Sequence, residues 1–307
     1  IQNAIWWIEF SGLDGFRVDT YSYNNKESIA KWTRAVMQEY PNFNIVGEVW
    51  MHDQAQISYW QKDSPIGAIQ NYNSHLPSVM DFTLHDAIIK MLDEEKAEWN
   101  KGIIHAYENF VNDFLYPNTD NLLVFAGNHD TNRINEIYKG NFEKYKLALT
   151  LVLTTRGIPQ IYYGDEIGMR GDRSKGDGDI RRDFPGGWEK DTQSAFVEAQ
   201  RTDIQQKYHS FTRKLLNYRK NKEVLHFGKL LQYIPEDNVY VYFRYNDTGR
   251  VLIVLNNAPE ARELELSRLK EGLNGHTTGK ELFYGETLEL KDKLVVNGKQ
   301  ALVIELQ

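Results

Sequence analysis

Between Gly15 and Trp50 the chain carries a pattern that few folds accommodate: strand, helix, strand, with an acid at the exit of each strand. Gly15-Phe16-Arg17-Val18-Asp19 alternates apolar and charged residues, the period of a strand. Lys26 to Tyr40 places Ile29, Trp32, Val36 and Met37 at helical intervals, and Pro41 closes the run. Asn44-Ile45-Val46-Gly47-Glu48-Val49-Trp50 reads as a second strand. A helix joining two strands over so short a distance implies a βαβ unit, with parallel strands and a right-handed crossover. That excludes an all-helical or purely antiparallel first half.

The unit recurs along the chain. Residues 1–11 read as a helix with Ile1, Ala4, Ile5, Trp7 and Ile8 in period, stopped by Gly12, and Trp6 and Trp7 read as core. A short helix is expected over 53–63 and a third strand over 77–82. A helical stretch over 84–115 is broken near Asn100-Lys101-Gly102. Leu122 to Asp130 is a fourth strand, apolar throughout and polar at its exit. Residues 141–155 form a helix, Gly157 to Glu166 a fifth strand, and 206–220 a last amphipathic helix. Residues 167–203 are rich in Gly and charge and have little apolar period. Their Arg181-Arg182-Asp183-Phe184-Pro185-Gly186-Gly187-Trp188 segment predicts an ordered loop near the site.

Past residue 222 the texture changes. Short apolar runs at 240–245, 251–255, 263–266, 281–284, 287–290 and 301–306 are separated by turn signals such as Asn246-Asp247-Thr248-Gly249 and Asn297-Gly298. This predicts a helix-free antiparallel β-sandwich over 223–307 after an α/β domain over 1–222.

Composition removes several functions. A net charge of −7 argues against a nucleic-acid binder. No apolar run approaches the ~20 residues of a membrane span. The absence of cysteine excludes a disulfide framework, a thiolate metal site and a Cys nucleophile.

The chemistry sits at the strand exits: Asp19, Glu48, Asp81, His129 with Asp130, and Asp165 with Glu166. In a barrel of parallel strands these ends face one way, so acids from different strands are expected in one cleft. Arg17 beside Asp19 favours an ionised carboxylate. Glu48, between Ile45-Val46-Gly47 and Val49-Trp50, reads as an acid in an apolar setting with no cation next to it in sequence. A nucleophile and a proton donor set apart in this way suit cleavage of a glycosidic bond. Taken alone, Arg17 and Asp19 read sooner as a structural ion pair, and His129 as a satisfied strand-end histidine. The company of Glu48 and Asp130 turns both readings toward function. Asp172, Asp177, Asp179 and Asp183 could hold a cation, but their spacing is not that of a known calcium loop.

Three of these segments, Gly15-Phe16-Arg17-Val18-Asp19, Gly47-Glu48-Val49-Trp50 and Phe125-Ala126-Gly127-Asn128-His129-Asp130, resemble in order three signature regions of the alpha-amylase superfamily. Gly157-Ile158-Pro159 with Ile161 to Glu166 resembles its last barrel strand, and the texture is most similar to neopullulanases and cyclomaltodextrinases. The resemblance implies an α/β fold, the C-terminal part of a (β/α)8 TIM barrel (strands 4–8), followed by the all-β sandwich. It implies retaining hydrolysis of α-glucosidic bonds in maltooligosaccharides, cyclodextrins, pullulan or starch. Asp19 would be nucleophile, Glu48 general acid and then base, and Asp130 a third catalytic acid binding sugar hydroxyls. Arg17, His129, Tyr23, Trp50 and Arg133 would contact substrate or orient the acids. No cofactor is required for this chemistry, no metal ligand is assigned, and a structural calcium has no support in the sequence.

The family's first signature should lie well before the second, yet only fourteen residues precede Gly15. Barrel strands one to three are therefore expected elsewhere, in an N-terminal half of the same enzyme, and residues 1–307 alone are expected to be inactive. The partner is an α-glucan oligosaccharide, with homo-oligomerisation left open. A bacterial enzyme of periplasm or cytoplasm is favoured. A transglycosylase on the same site and a non-catalytic glycan-binding scaffold are the alternatives.

Overall fold

A computed structural model describes residues 1–96 and 98–307. The chain divides into two compact units, residues 1–86 with 108–124 and residues 87–107 with 125–307.

The first unit opens with α1 (Gln2–Ser11), ended by Gly12 in the left-handed region. It continues through β1 (Gly15–Val18), α2 (Lys26–Glu39), β2 (Asn44–Gly47), α3 (Gln54–Ser58), α4 (Pro65–Ile69) and β3 (Ser78–Met80). Two helices have residues in both units, α5 (Phe82–Met91) and α6 (Ile104–Val111), and β4 (Leu122–Phe125) follows. β1 pairs with β2, β2 with β3 and β3 with β4, all parallel, as the βαβ pattern requires. Asn25 caps α2 by accepting from the Ser28 amide, and the apolar face of α2 buries Ala30, Thr33 and Val36.

The core of this unit gathers Tyr21, Val36, Ile45, Val49, Ile57, Leu76, Val79 and Phe82, all without solvent exposure. Burial pushes the Tyr21 hydroxyl up to about 12, and it settles against Thr33 Oγ1 at 2.7 Å. Gly47 is required here by space. A Cβ at this position would lie 2.6 Å from Leu76 and 2.9 Å from Tyr21.

α1 departs from expectation. Ala4 and Ile8 are buried, but Trp6 and Trp7 are about half exposed and Phe10 is exposed, with Trp6 stacked on Phe10 at 4.8 Å. The helix places its two buried residues, Ala4 and Ile8, four apart on the packed face, and the aromatic ridge falls on the other side. Trp6 and Trp7 are therefore surface residues and not core.

The second unit contains α7 (Ile134–Ile137), α8 (Phe142–Thr154), β5 (Ile158–Gln160), α9 (Asp177–Ile180) and α10 (Asp203–Lys220). α8 is buried at every residue from Leu147 to Thr154. α10 starts at a capping box, with Thr202 and Gln205 each satisfying the other's backbone amide. The expected fifth strand is only three residues long. Beyond it the backbone turns at Gly164, whose φ is +87°, into a single helical turn over Asp165–Ile167.

Then come α11 (Glu223–Phe227), β6 (Lys229–Glu236), β7 (Val239–Tyr245), β8 (Arg250–Asn256), β9 (Arg262–Glu265), α12 (Lys270–Leu273), β10 (Thr278–Glu281), β11 (Thr287–Glu289), β12 (Lys293–Val296) and β13 (Ala301–Leu306). They form a six-stranded sheet in the order β11-β10-β13-β8-β7-β6 and a two-stranded sheet of β12 and β9. Phe243, Leu252, Val254, Leu266, Val296 and Ile304 lie in one buried cluster with residues of both sheets. This segment is not helix-free: α11 and α12 lie within it. β6 and β12 were not expected: the apolar residues of Lys229–Glu236 are interrupted by Gln232 and Pro235, and Lys293–Val296 offers only the three-residue run Leu294-Val295-Val296. Among the described residues no helix is long and apolar enough to cross a membrane.

Candidate active site

In the first unit the parallel register pairs Gly15 with Asn44, Phe16 with Ile45, Arg17 with Val46 and Val18 with Gly47. Asp19 and Glu48 are thus the next residues off two adjacent strands, and the Glu48 amide donates to Val18 O at 2.9 Å. Arg17 lies between the two acids. Its Nη1 donates to Asp19 Oδ1 and its Nη2 to Glu48 Oε1, the latter at 2.8 Å. The second oxygen of Glu48 accepts from the Thr20 amide at 2.7 Å. Thr20 takes φ +46°, a conformation a β-branched residue rarely adopts, at a cost of about 1–3 kcal/mol. That turn aims the Thr20 amide at Glu48.

This corrects one expectation. Glu48 is buried, at 5% exposure, but it is not in an apolar setting without a cation. The cation comes from the neighbouring strand, where sequence adjacency does not reveal it. Asp19 is the open member of the pair, with a side chain 70% exposed.

Two aromatic candidates, Tyr23 and Trp50, lie in the same unit. Tyr23, two residues beyond Tyr21, is 79% exposed on a short helical turn. One face of Trp50 is covered by Phe82, with ring centroids 4.8 Å apart and planes 11° off parallel. His52, which was not singled out from the sequence, has its Nδ1 2.5 Å from Asp86 Oδ2.

In the second unit His129 and Asp130 are held as a pair on the turn after β4. Asn128, buried, accepts the Asp130 amide on Oδ1 at 2.8 Å. His129 Nε2 is 3.0 Å from Asp130 Oδ2. Arg181 reaches the same turn from the end of α9. Its Nη2 donates to Asp130 Oδ1 at 2.8 Å and its Nε to His129 O at 2.9 Å. Arg181 was legible as part of a charged loop segment, but nothing in the sequence gave its partner.

Arg133 is a second correction. It is fully buried and cannot touch a sugar. Its Nε donates to Ile180 O at 2.9 Å, and its Nη1 to Tyr163 O at 2.6 Å and Asp165 Oδ1 at 3.2 Å. Its guanidinium lies 4.2 Å from the Tyr162 ring centroid and 4.9 Å from that of Tyr163. Arg133 thus fastens the loop after β5 to the turn after β4. Burial raises the Asp165 carboxyl to about 7, against the pull of Arg133.

Three acids of the 172–183 segment, Asp172, Asp177 and Asp179, are already engaged. Asp172 Oδ1 accepts from the Ser174 amide and hydroxyl, Asp177 pairs with Arg181 at 3.1 Å, and Asp179 accepts from the Asp172 amide and Arg182. The Ser174 bonds hold the Asp172 carboxyl below its ordinary value, and the Asp172 amide with Arg182 does so for Asp179. Among the described residues no three His, Asp or Glu side chains are grouped to hold a metal ion.

Residues 2–241 match the alpha-amylase catalytic domain family. The chain belongs to that family. Residues 230–305 match the cyclo-malto-dextrinase C-terminal domain. A cyclomaltodextrinase of Thermoanaerobacter pseudethanolicus is 28% identical over 274 residues, 88% of this chain and 42% of that protein. Neopullulanase 2 of Thermoactinomyces vulgaris is 29% identical over 302 residues, 94% of this chain and 44% of that protein. The chain thus spans less than half the length of either. Among solved structures, an alpha-amylase from Geobacillus thermoleovorans complexed with acarbose superposes with a TM-score of 0.80 at 23% identity, over 100% of this chain and 62% of that one. This likeness carries the amylase fold, a partial barrel with a β-sandwich after it.

Proposed function

We propose that this chain is the part of an α-glucan hydrolase that supplies its catalytic acids, acting with retention on maltooligosaccharides, cyclodextrins, pullulan or starch. The observation that carries the reading is the Arg17 fork. One guanidinium holds Asp19 and Glu48 from neighbouring strands, so the two carboxyl groups lie close together. A close pair leaves no room for a water between acid and sugar, and suits a retaining mechanism rather than an inverting one. The names of the relatives, cyclomaltodextrinase and neopullulanase, support the substrate class.

In this reading Asp19 attacks the anomeric carbon while Glu48 gives its proton to the departing glycosidic oxygen. The covalent ester consumes the charge of Asp19 just as Glu48 becomes anionic. Arg17 then turns from the first acid to the second, so a single cation serves both half-reactions. Glu48 next takes a proton from water, the hydroxide displaces Asp19, and the ester is released. Every proton and bond is accounted for by Asp19, Glu48 and water, so no cofactor enters. Asp130, with His129, binds sugar hydroxyls. Trp50 and Tyr23 offer aromatic surface to the substrate.

A relative named cyclomaltodextrin glucanotransferase, 26% identical, favours transfer to a sugar acceptor as the second reading, since the same ester can be taken by a sugar hydroxyl. Product analysis on cyclodextrin, pullulan and starch separates the two, using the longer protein that contains residues 1–307 and its Asp19→Asn variant. Hydrolysis products that disappear with Asp19→Asn fit the proposal. Full activity in Asp19→Asn refutes the nucleophile assignment. Residues 1–307 alone are expected to turn over none of the three, and steady turnover by the isolated chain would overturn that part.

A further inference from the structure

In the second unit, the segment before α6 and the tip of the β6–β7 hairpin enclose an open groove of about 510 Å³. Its lining includes Trp99, Asn100, Lys101, Ile104, Ile234 and Asp237. Trp99 is 96% exposed and Ile234 57% exposed. A tryptophan left almost wholly in water is unusual, since it gives up more apolar burial than any other side chain.

The exposure is not that of a slack loop. Asn238, 5% exposed, accepts the Ile103 amide on Oδ1 at 2.9 Å and donates to Glu94 O and Glu95 O at 3.1 and 2.9 Å. Glu94 accepts the Gly102 amide at 2.7 Å and lies 2.9 Å from His105 Nε2. Asn100 and Gly102 both take left-handed backbone, with φ +58° and +72°. Glu94, Glu95, Gly102 and Ile103 are therefore pinned on either side of Trp99. Glu98 and Lys101 pair with each other, which leaves the Asp237 carboxylate as the net charge of the lining.

A flat aromatic face flanked by an amide and a carboxylate matches a ligand that has an apolar face and a rim of hydrogen-bond donors. A pyranose ring is such a ligand: its axial C–H bonds make the face and its hydroxyls the rim. We propose that this groove is a second, non-catalytic binding site for an α-glucan chain, with Trp99 as the stacking platform and Asn100 and Asp237 taking hydroxyls. The choice of α-glucan rests on the proposed activity. The site itself rests on Trp99 and its support.

The test is affinity electrophoresis of the protein in gels with and without amylopectin, run beside Trp99→Ala, Trp99→Phe and Asp19→Asn. Amylopectin should retard wild type and Asp19→Asn alike. Trp99→Ala should bind at least fivefold more weakly and Trp99→Phe should fall between them. In the longer protein that contains residues 1–307, turnover of a short soluble oligosaccharide should be unchanged in Trp99→Ala, and an unchanged urea midpoint shows that the variant is folded. Retardation of Trp99→Ala equal to wild type, or no retardation of wild type, overturns the inference. So does a dimer in size-exclusion chromatography that Trp99→Ala dissociates and amylopectin does not, because the groove then serves a second copy of the chain. Loss of retardation in Asp19→Asn with full retention in Trp99→Ala would place the sugar at the carboxylate pair, leaving the proposed activity standing without this site.

Discussion

Replacing Arg133 by Met should cost more stability in alkali than in acid. The side chain is fully buried and donates to Ile180 O, Tyr163 O and Asp165. Met fills much of the space but makes none of these bonds. At pH 6, with Asp165 largely protonated, the loss is that of the bonds and ring contacts alone, about 3 kcal/mol. The pH dependence follows from Asp165. Its carboxyl is raised to about 7 in the fold from 3.8, so its contribution to stability is full below about pH 4 and is lost as pH rises through 7.

Above 7 the wild type loses no more, because Asp165 is ionised in both folded and unfolded chains. Without Arg133 the carboxyl rises further, and the loss continues at about 1.4 kcal/mol per pH unit until the new value is reached. At pH 8.5 the cost of Arg133→Met should therefore be about 5 kcal/mol, some 2 more than at pH 6. Urea unfolding at the two pH values measures this. Repeating it in an Asp165→Asn background should remove the difference. A cost that is equal at both pH values, or a difference that survives Asp165→Asn, refutes the argument that a buried, shifted carboxyl underlies it.

Asn238→Ala should destabilise by about 2–4 kcal/mol, since it leaves the Ile103 amide without its acceptor and puts alanine at φ +62°. Urea midpoints report this, and amide exchange should speed up first at Ile103. Gly47→Ala should cost about 1–3 kcal/mol through the contacts with Leu76 and Tyr21, visible as a lowered thermal midpoint. In the longer protein, Arg17→Lys should reduce kcat by roughly 10²–10³ with little change in KM, because an ammonium cannot fork across two carboxylates. An unchanged kcat would show that the fork is structural.

What was legible in the sequence follows from what is local. The parallel strands at Gly15, Asn44, Ser78 and Leu122 announce themselves through short apolar runs with polar exits, and α2 and α8 through helical period. The failures are at partners distant in sequence. Glu48 looked apolar because its cation sits thirty-one positions away, on another strand. Arg133 was expected, through the resemblance alone, to contact substrate or orient the acids. Its carbonyl acceptors, Tyr163 and Ile180, lie thirty or more positions away and turn it inward. Trp6 and Trp7 were read as core because the apolar period takes in Trp7, whereas the packed face of α1 is the one that carries Ala4 and Ile8.

The pairing of β1 with β2 has a consequence for how such a chain can vary. Asp19 and Glu48 are brought together by counting: each is the first residue past a strand, and the strands are locked with Val18 beside Gly47. The segment between them contains α2 and its turns, and length changes there are absorbed before the strands begin. A single residue added or lost within Gly15–Val18 or Asn44–Gly47 would instead turn one acid to the opposite face of the sheet and break the Arg17 fork. The two stretches therefore act as a vernier for the carboxylates. Related chains should be free to differ in length across 22–43, while the distance from each acid back to its own strand stays fixed.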